Sequence, residues 1–370
     1  MWTLTDNYEW EAVRASFSWI RDMEGVSQDP RHHAEGDVAV HTRMVLEALQ
    51  GMPEFQTLPM DEQELLKALA LLHDVEKRST TVQESDGSIT ARGHAKKGAQ
   101  TTRRLLFEEL PAPFAIREEL VALVRYHGWP IWAIERPDSA RTVIQSSLGC
   151  NTQHLAMFAK ADVLGRKCDD AADLLYRIGL FEELCKEYDC WGKPYAFADA
   201  YSQFVYFSKQ DSLPDYAAYD DTRMEVVMLS GLPGMGKDTY IRQHLADWPV
   251  VSLDALRAEM GIKPTDKKGT GRVVQAAREQ AREHLRARRS FVLNATSLTL
   301  SLRQLWTGLF REYGARIRIV YLETDYATWQ RQNAQREAEV PKKVLKRMLD
   351  SWDVPQPWEG HAVEYRVGEA

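Results

Sequence analysis

Six histidines occur before residue 130, and four of them stand where chemistry could use them: His41, His73 with Asp74 directly after it, His94 and His127. Asp162 follows in the segment KADVLGR, residues 160–166. Neutral imidazoles and carboxylates brought to one place by different helices can hold divalent metal ions. Adjacent residues cannot share a helix face, so His73 and Asp74 meet one centre only where a helix ends or distorts. A lone histidine on an apolar helix is more often a core or surface residue, and His32, His33 and His154 are read that way. A second constellation is GLPGMGKDTY, residues 231–240. Gly231, Gly236 and Lys237 fit the spacing of a phosphate-binding loop that opens a helix. Gly231, Gly234 and Gly236 let backbone N–H groups turn toward a triphosphate, and Lys237 reaches its β- and γ-phosphates. Asp238 stands where a hydroxyl residue normally holds Mg²⁺, and Thr239 offers a hydroxyl one place later.

Further residues suit a phosphoryl acceptor. Asp254 closes an apolar run and is placed to take a hydroxyl proton. Arg257, one turn on, lies on the same side and can bind a phosphate. Arg303 stands downstream of Asn294-Ala295-Thr296, while Arg331 and Arg336 put two guanidiniums on one helix, as a closing lid requires.

The elements that must carry these residues differ between the two parts of the chain. Apolar periodicity predicts helices over 39–49, 62–73 with Asp61 as cap, 96–106, 116–126 and 152–164. β-Branched runs are scarce before residue 224, so an all-α domain is expected there. The polar stretch KQDSLPDYAAYDDT reads as linker, which gives a first domain at 1–208, a linker at 209–223 and a second domain at 224–370. In the second domain EVVMLS, VVSL, SFVL and RIVYL alternate with helical patterns, the signature of an α/β domain with a parallel sheet. Residues 1–223 carry a net charge of −12 and residues 224–370 a net of +5, so the second part is the better candidate for a polyanion. No apolar run approaches the about 18 residues of a membrane span. The beginning of the chain has no basic cluster of a signal peptide, and Cys150, Cys168, Cys185 and Cys190 show no disulfide or zinc spacing. A cytoplasmic protein with free thiols is the expectation.

GLPGMGKDT, DALR at 254–257, NAT at 294–296 and the Arg331…Arg336–Val340-Pro341 segment together resemble the phage-type 5′-OH polynucleotide kinase family. That resemblance covers residues 224–370. It implies Asp254 as general base toward a 5′-hydroxyl, Arg257 on the 3′-phosphate of the terminal nucleotide, and Lys237 with Arg331 or Arg336 on the phosphoryl group in flight. ATP or another nucleoside triphosphate with Mg²⁺ would be the donor. Many relatives carry Asp where Asn294 stands.

The order His41, His73-Asp74, His94, His127, Asp162, with its flanks LLHDVEK, GH, YH and AD, resembles the HD phosphohydrolase superfamily over residues 35–170. The resemblance implies one metal on His41, His73, Asp74 and Asp162, a second on Asp74, His94 and His127, and Lys77 facing the substrate phosphate. Arg166 would add a phosphate contact. An imidazole-rich set favours Mn, Ni or Co over Mg.

The two halves in this order resemble the bacterial bifunctional end-healing enzymes of the HD-Pnk type. The implied activity removes a 2′,3′-cyclic, 2′- or 3′-phosphate from one RNA or DNA end and phosphorylates the 5′-hydroxyl of the other, with a nucleic-acid ligase implied downstream. Two alternatives remain at this level: a metabolite or antibiotic kinase joined to a nucleotidase, and a kinase joined to a non-catalytic nucleotide-sensing HD domain.

Overall fold

The computed structural model describes residues 1–263, 266–335 and 340–368. They divide into two compact units, Met1–Ala196 and Phe197–Ala370.

The first unit is built mainly of helices. Asp37 caps the Val38–Gly51 helix by accepting the Val40 N–H at 2.9 Å, and Val38, Val45, Leu46 and Leu49 form its buried stripe. It packs against the helices Met60–Leu72 and Thr152–Leu164; His94–Glu108 pairs with Phe114–Tyr126. The cap of Met60–Leu72 is Pro59, with Asp61 in the first turn instead of the expected cap position. The unit is not wholly helical, because Val82–Gln83 (β1) and Ile89–Thr90 (β2) pair antiparallel. This hairpin is too short to leave a β-branched run in the sequence. Where the Thr152–Leu164 helix ends, Gly165 lies against Val45: a methyl group there would sit 2.6 Å from the Val45 backbone nitrogen and Cα. Backbone therefore meets backbone at that crossing.

In the second unit five parallel strands stand in the order β4-β5-β3-β6-β7, namely Met224–Ser230 (β3), Val250–Ser252 (β4), Phe291–Asn294 (β5), Ala315–Glu323 (β6) and Ala362–Val367 (β7). Central β3 is buried over nearly its whole length, as a strand covered on both faces must be. β7 lies beyond the four expected strands. Its sequence AVEYRV mixes charge with apolar residues, and Glu364 answers Arg318 on β6 at 3.2 Å.

The Ala200–Ser208 helix, assigned from sequence to the first domain, belongs to the second unit. Phe204 lies in the core with Met224, Val226 and Ile317, and Arg311 donates to the Ser208 carbonyl at 2.9 Å. The expected linker is also tied down: the Ala218 N–H donates to Ser202, and Arg316 pairs with Asp220 at 3.2 Å.

His361 sits 3% exposed, its Nδ1 accepting the Ile317 N–H at 3.0 Å, and burial lowers its pKa from 6.5 to about 4. The unfolded chain binds this proton more tightly. Stability is thus full above pH 6.5 and falls as the pH drops toward 4, by up to about 3 kcal/mol for this group. The expected result is a guanidinium unfolding midpoint that falls between pH 7.5 and 4.5, and less steeply in His361→Asn. An equal fall in that variant would remove His361 as a cause.

Candidate functional site

His41, His73, His94 and His127 are each placed by a helix terminus or an early helical turn. His41 lies in the first turn and a half of Val38–Gly51. His73 is the last α-conformation residue of Met60–Leu72, held by its N–H to Leu69 at 2.9 Å, and the chain turns away at Asp74. The helix end lets the adjacent pair address the same space. His94 opens its helix behind Gly93 in the left-handed region, and His127 closes Phe114–Tyr126. The Thr152–Leu164 helix contributes Asp162.

These termini bring all six side chains together. His41, His73 and Asp162 form one donor group, and Asp74, His94 and His127 a second. Asp74 spans both: its Oδ2 lies 3.2 Å from His73 Nε2 and 3.7 Å from His41 Nε2. Its Oδ1 lies 3.4 Å from His94 Nε2 and 4.0 Å from His127 Nε2. His41 Nε2 stands 3.1 Å from Asp162 Oδ1, and the Nε2 atoms of His94 and His127 are 3.3 Å apart.

Tautomers follow from the outer contacts. His73, His94 and His127 each place Nδ1 2.8–2.9 Å from the carbonyl three residues back, on Ala70, Ala91 and Val124. A carbonyl only accepts, so Nδ1 carries the proton and Nε2 presents a lone pair inward. His41 differs, since its Nδ1 faces Glu35 Oε1 at 3.0 Å.

Burial is deep and polar groups are left over. His41, His73, Asp74, His127 and Asp162 are buried, and His94 is the least enclosed of the six. Among the described residues His73 Nε2 and Asp74 Oδ1 have no hydrogen-bond partner, and the nitrogens of His41 have no well-aligned one beyond the carboxylates of Glu35 and Asp162 beside them. Leaving such atoms dry and unpaired costs about 1–3 kcal/mol each, so the donor set fits a cation that would satisfy them together.

The electrostatics agree. Burial opposes ionisation of Asp74, yet Lys77 and His73 hold its carboxyl well below the usual range; Arg166 and His41 do the same for Asp162. Burial and then His94 push His127 down to about 3, which keeps it neutral. His94 is also lowered, chiefly by burial. For His41 burial is outweighed by Asp162 and Glu35, which raise it.

Lys77 and Arg166, expected to face a phosphate, are bonded to donor carboxylates. Lys77 Nζ lies 2.7 Å from Asp74 Oδ2 and 2.8 Å from Gln28 Oε1, and Arg166 is paired with Asp162. Sequence reasoning missed Glu35, which accepts the Lys167 N–H at 2.9 Å and faces both His33 and His41. Its only sequence signal is its position just before the Asp37 cap. His33 therefore lies beside the centre, against the expectation, with its pKa lowered to about 4 by burial. His32 and His154 pair elsewhere, with Asp170 and Glu62.

In the second unit the loop after β3 has Gly231, Gly234 and Gly236 in positive-φ conformations, and a Cβ at Gly231 would lie 2.5 Å from the Leu322 carbonyl. Lys237 Nζ donates to the Gly231 and Leu232 carbonyls at 3.0 and 2.8 Å. Trp329 Nε1 donates to Pro233 at 2.8 Å and closes the loop from behind. The departure at residue 238 is paired with the one at residue 294: Asn294 Nδ2 donates to Asp238 Oδ1 at 2.7 Å. Thr239 accepts from Arg242 at 3.0 Å.

Asp254 begins the helix after β4, its side chain 83% exposed, with Arg257 Nη1 3.1 Å away. Arg331 donates to Thr328 at 2.8 Å. Arg303 is fully buried and bidentate on Glu359, which makes it a structural residue instead of an acceptor contact. Arg336 lies outside the described residues.

The family described as "AAA domain" matches residues 226–355. Curated relatives include two proteins named Multifunctional CCA protein. That of Methylococcus capsulatus is 30% identical over 42% of this chain and 35% of its own length. That of Halorhodospira halophila is 35% identical over 28% of this chain and 22% of its own. The chain thus spans about a third or less of these relatives. Solved structures that align include a sugar kinase from Janibacter, 20% identical with a TM-score of 0.30 over 40% of this chain and 87% of that one. A gluconokinase from Sinorhizobium meliloti is 18% identical with a TM-score of 0.29 over 40% and 85%. Among the described residues no helix is long and apolar enough to cross a membrane.

Proposed function

We propose that the chain heals broken nucleic-acid ends: the first unit, an HD-type phosphohydrolase, removes a 2′,3′-cyclic, 2′- or 3′-phosphate, and the second phosphorylates a 5′-hydroxyl from ATP. The observation that carries the reading is the buried set of four imidazoles and two carboxylates, with Asp74 reaching both donor groups, in one chain with a phosphate loop and its lysine. RNA or DNA ends with opposite phosphate polarity are the substrates that need both chemistries, and a ligase would consume the product.

His41, His73, Asp74 and Asp162 would hold one metal and Asp74, His94 and His127 another; borderline N/O donors of this kind suit Mn, Ni or Co. Such ions supply charge to the transferring phosphoryl group and a nucleophile at neutral pH. The chain's own contributions are separable. The backbone-held Nδ1 protons fix three rings before any ligand arrives. Lys77 and Arg166 hold Asp74 and Asp162 ionised, and the less buried His94 marks the side from which a phosphate enters.

In the second unit Lys237 would exchange its two carbonyl partners for the β- and γ-phosphates. Asp254 takes the proton of the 5′-hydroxyl, with Arg257 holding it and the neighbouring phosphate. Arg331 or Arg336 would close on the transferring group. Asp238, exposed and oriented by Asn294, would hold the nucleotide's Mg²⁺ in place of a hydroxyl.

One RNA oligonucleotide with a 5′-hydroxyl and a 2′,3′-cyclic phosphate tests both halves. Incubated with ATP and Mg²⁺, with Mn²⁺ or Ni²⁺ added separately, it should gain a 5′-phosphate and lose the terminal phosphate by mass. An unchanged oligonucleotide beside ongoing ATP hydrolysis would overturn the reading.

A further inference from the structure

The segment after His127 has no part in the chemistry above, yet it is built as a surface for something anionic and planar. Gly128 is followed at once by the short helix Trp129–Trp132, so this surface starts two residues from a donor imidazole whose ring lies 5.2 Å from that of His94, the least enclosed of the set. Trp132 is 49% exposed, and the Arg177 guanidinium lies 5.2 Å from its ring centroid. Arg136 lies 4.5 Å from the ring of Trp129.

The cations here are not alike. Arg177 is neutralised by Glu135 and Asp173. Elsewhere in the unit Arg103, Arg141 and Arg166 also have carboxylate partners. Arg125 and Arg136 have none among the described residues. Arg136, exposed and without a carboxylate, lies against one indole on the same short segment as a second, exposed one; a phosphate and a base of a single strand would complete that arrangement.

We infer that Trp132 and Arg136, with Trp129 beneath the Arg136 guanidinium, form a binding surface for the single-stranded nucleic acid adjoining the terminal phosphate, with a base stacked on the exposed indole and a phosphate on the arginine. The inference rests on the proposed phosphohydrolase reading of the first unit and names where its substrate lies. It sets a polynucleotide apart from a mononucleotide, which would reach the imidazole centre without touching this surface.

The test uses the full-length chain and a labelled single-stranded oligoribonucleotide ending in a 3′-phosphate and already carrying a 5′-phosphate. Binding is read by anisotropy across a salt series, and KM and kcat by release of the terminal phosphate. Trp132→Ala and Arg136→Ala should each weaken binding and raise KM about tenfold. Arg136→Ala should also lower the slope of log affinity against log salt by about one. Trp132→Phe, which keeps a stacking face, should restore binding, and this separates stacking from a fault in folding. Wild-type affinity in both alanine variants overturns the inference, as does a wild-type chain that does not bind the oligonucleotide. Self-association lost in Trp132→Ala with oligonucleotide binding intact would assign the surface to a second copy and overturn it likewise. Binding that weakens as expected in a chain that releases no phosphate with any metal would leave the surface standing and sink the phosphohydrolase reading.

Discussion

Replacing Asp74 by alanine is expected to empty the imidazole centre and end removal of the terminal phosphate, with 5′-phosphorylation retained. Asp74 is the one side chain of the six whose oxygens lie within 4.0 Å of imidazole nitrogens in both donor groups. Losing even an outer-shell partner of a ligand typically costs about 10–100-fold in metal affinity or activity. A shared carboxylate touches two such terms, so the combined loss should reach about 10³-fold or more. The substitution also leaves the Lys77 ammonium without its 2.7 Å carboxylate. Asp74→Asn, which keeps the shape, is therefore the better control for folding. Metal content after dialysis, measured by inductively coupled plasma mass spectrometry, should fall in both variants together with phosphate release. Wild-type metal content in a folded Asp74→Ala chain would mean that the donor cluster is not the metal centre.

Lys237→Ala is expected to have the converse effect: 5′-phosphorylation lost, terminal phosphate removal unchanged. The ammonium is the cation placed inside the glycine loop, bonded to its first two carbonyls. Removing one preorganised charge from a developing phosphoryl group costs about 10²–10³ in kcat in comparable sites. Lys237→Met keeps most of the side-chain volume and guards against a collapsed loop. Radiolabel transfer from ATP to an oligonucleotide 5′-end gives the rate. If either variant silenced both activities with the fold intact, two independent centres would be the wrong description.

The sequence made some of this legible for identifiable reasons. The leucines at 65, 66, 69 and 72 form a stripe that stops at His73, so a helix end at the doublet could be read before its geometry was known. The phosphate loop was legible because its glycines and lysine have fixed spacing behind an apolar strand. Glu35 and Gln28 were not, since neither lies on a periodic face and both reach the centre from irregular backbone. β7 was hidden by its charges: Glu364 pairs with Arg366 on the same strand and with Arg318 across the sheet. The exchange at 238 and 294 showed in the sequence as two separate oddities; their hydrogen bond makes them one feature.

Val45 and Gly165 carry a consequence of another kind. At Gly165 the chain bearing Asp162 comes to rest on the backbone and Cγ2 of Val45 in the helix bearing His41, with no room for a Cβ between them. The 3.1 Å gap between His41 and Asp162 is therefore gauged by main-chain thickness. A side chain at position 165 would strike the Val45 backbone and force the two helices apart, widening that gap. Any ion held between His41 and Asp162 would thus have its fit set in part by a residue that contributes no ligand atom.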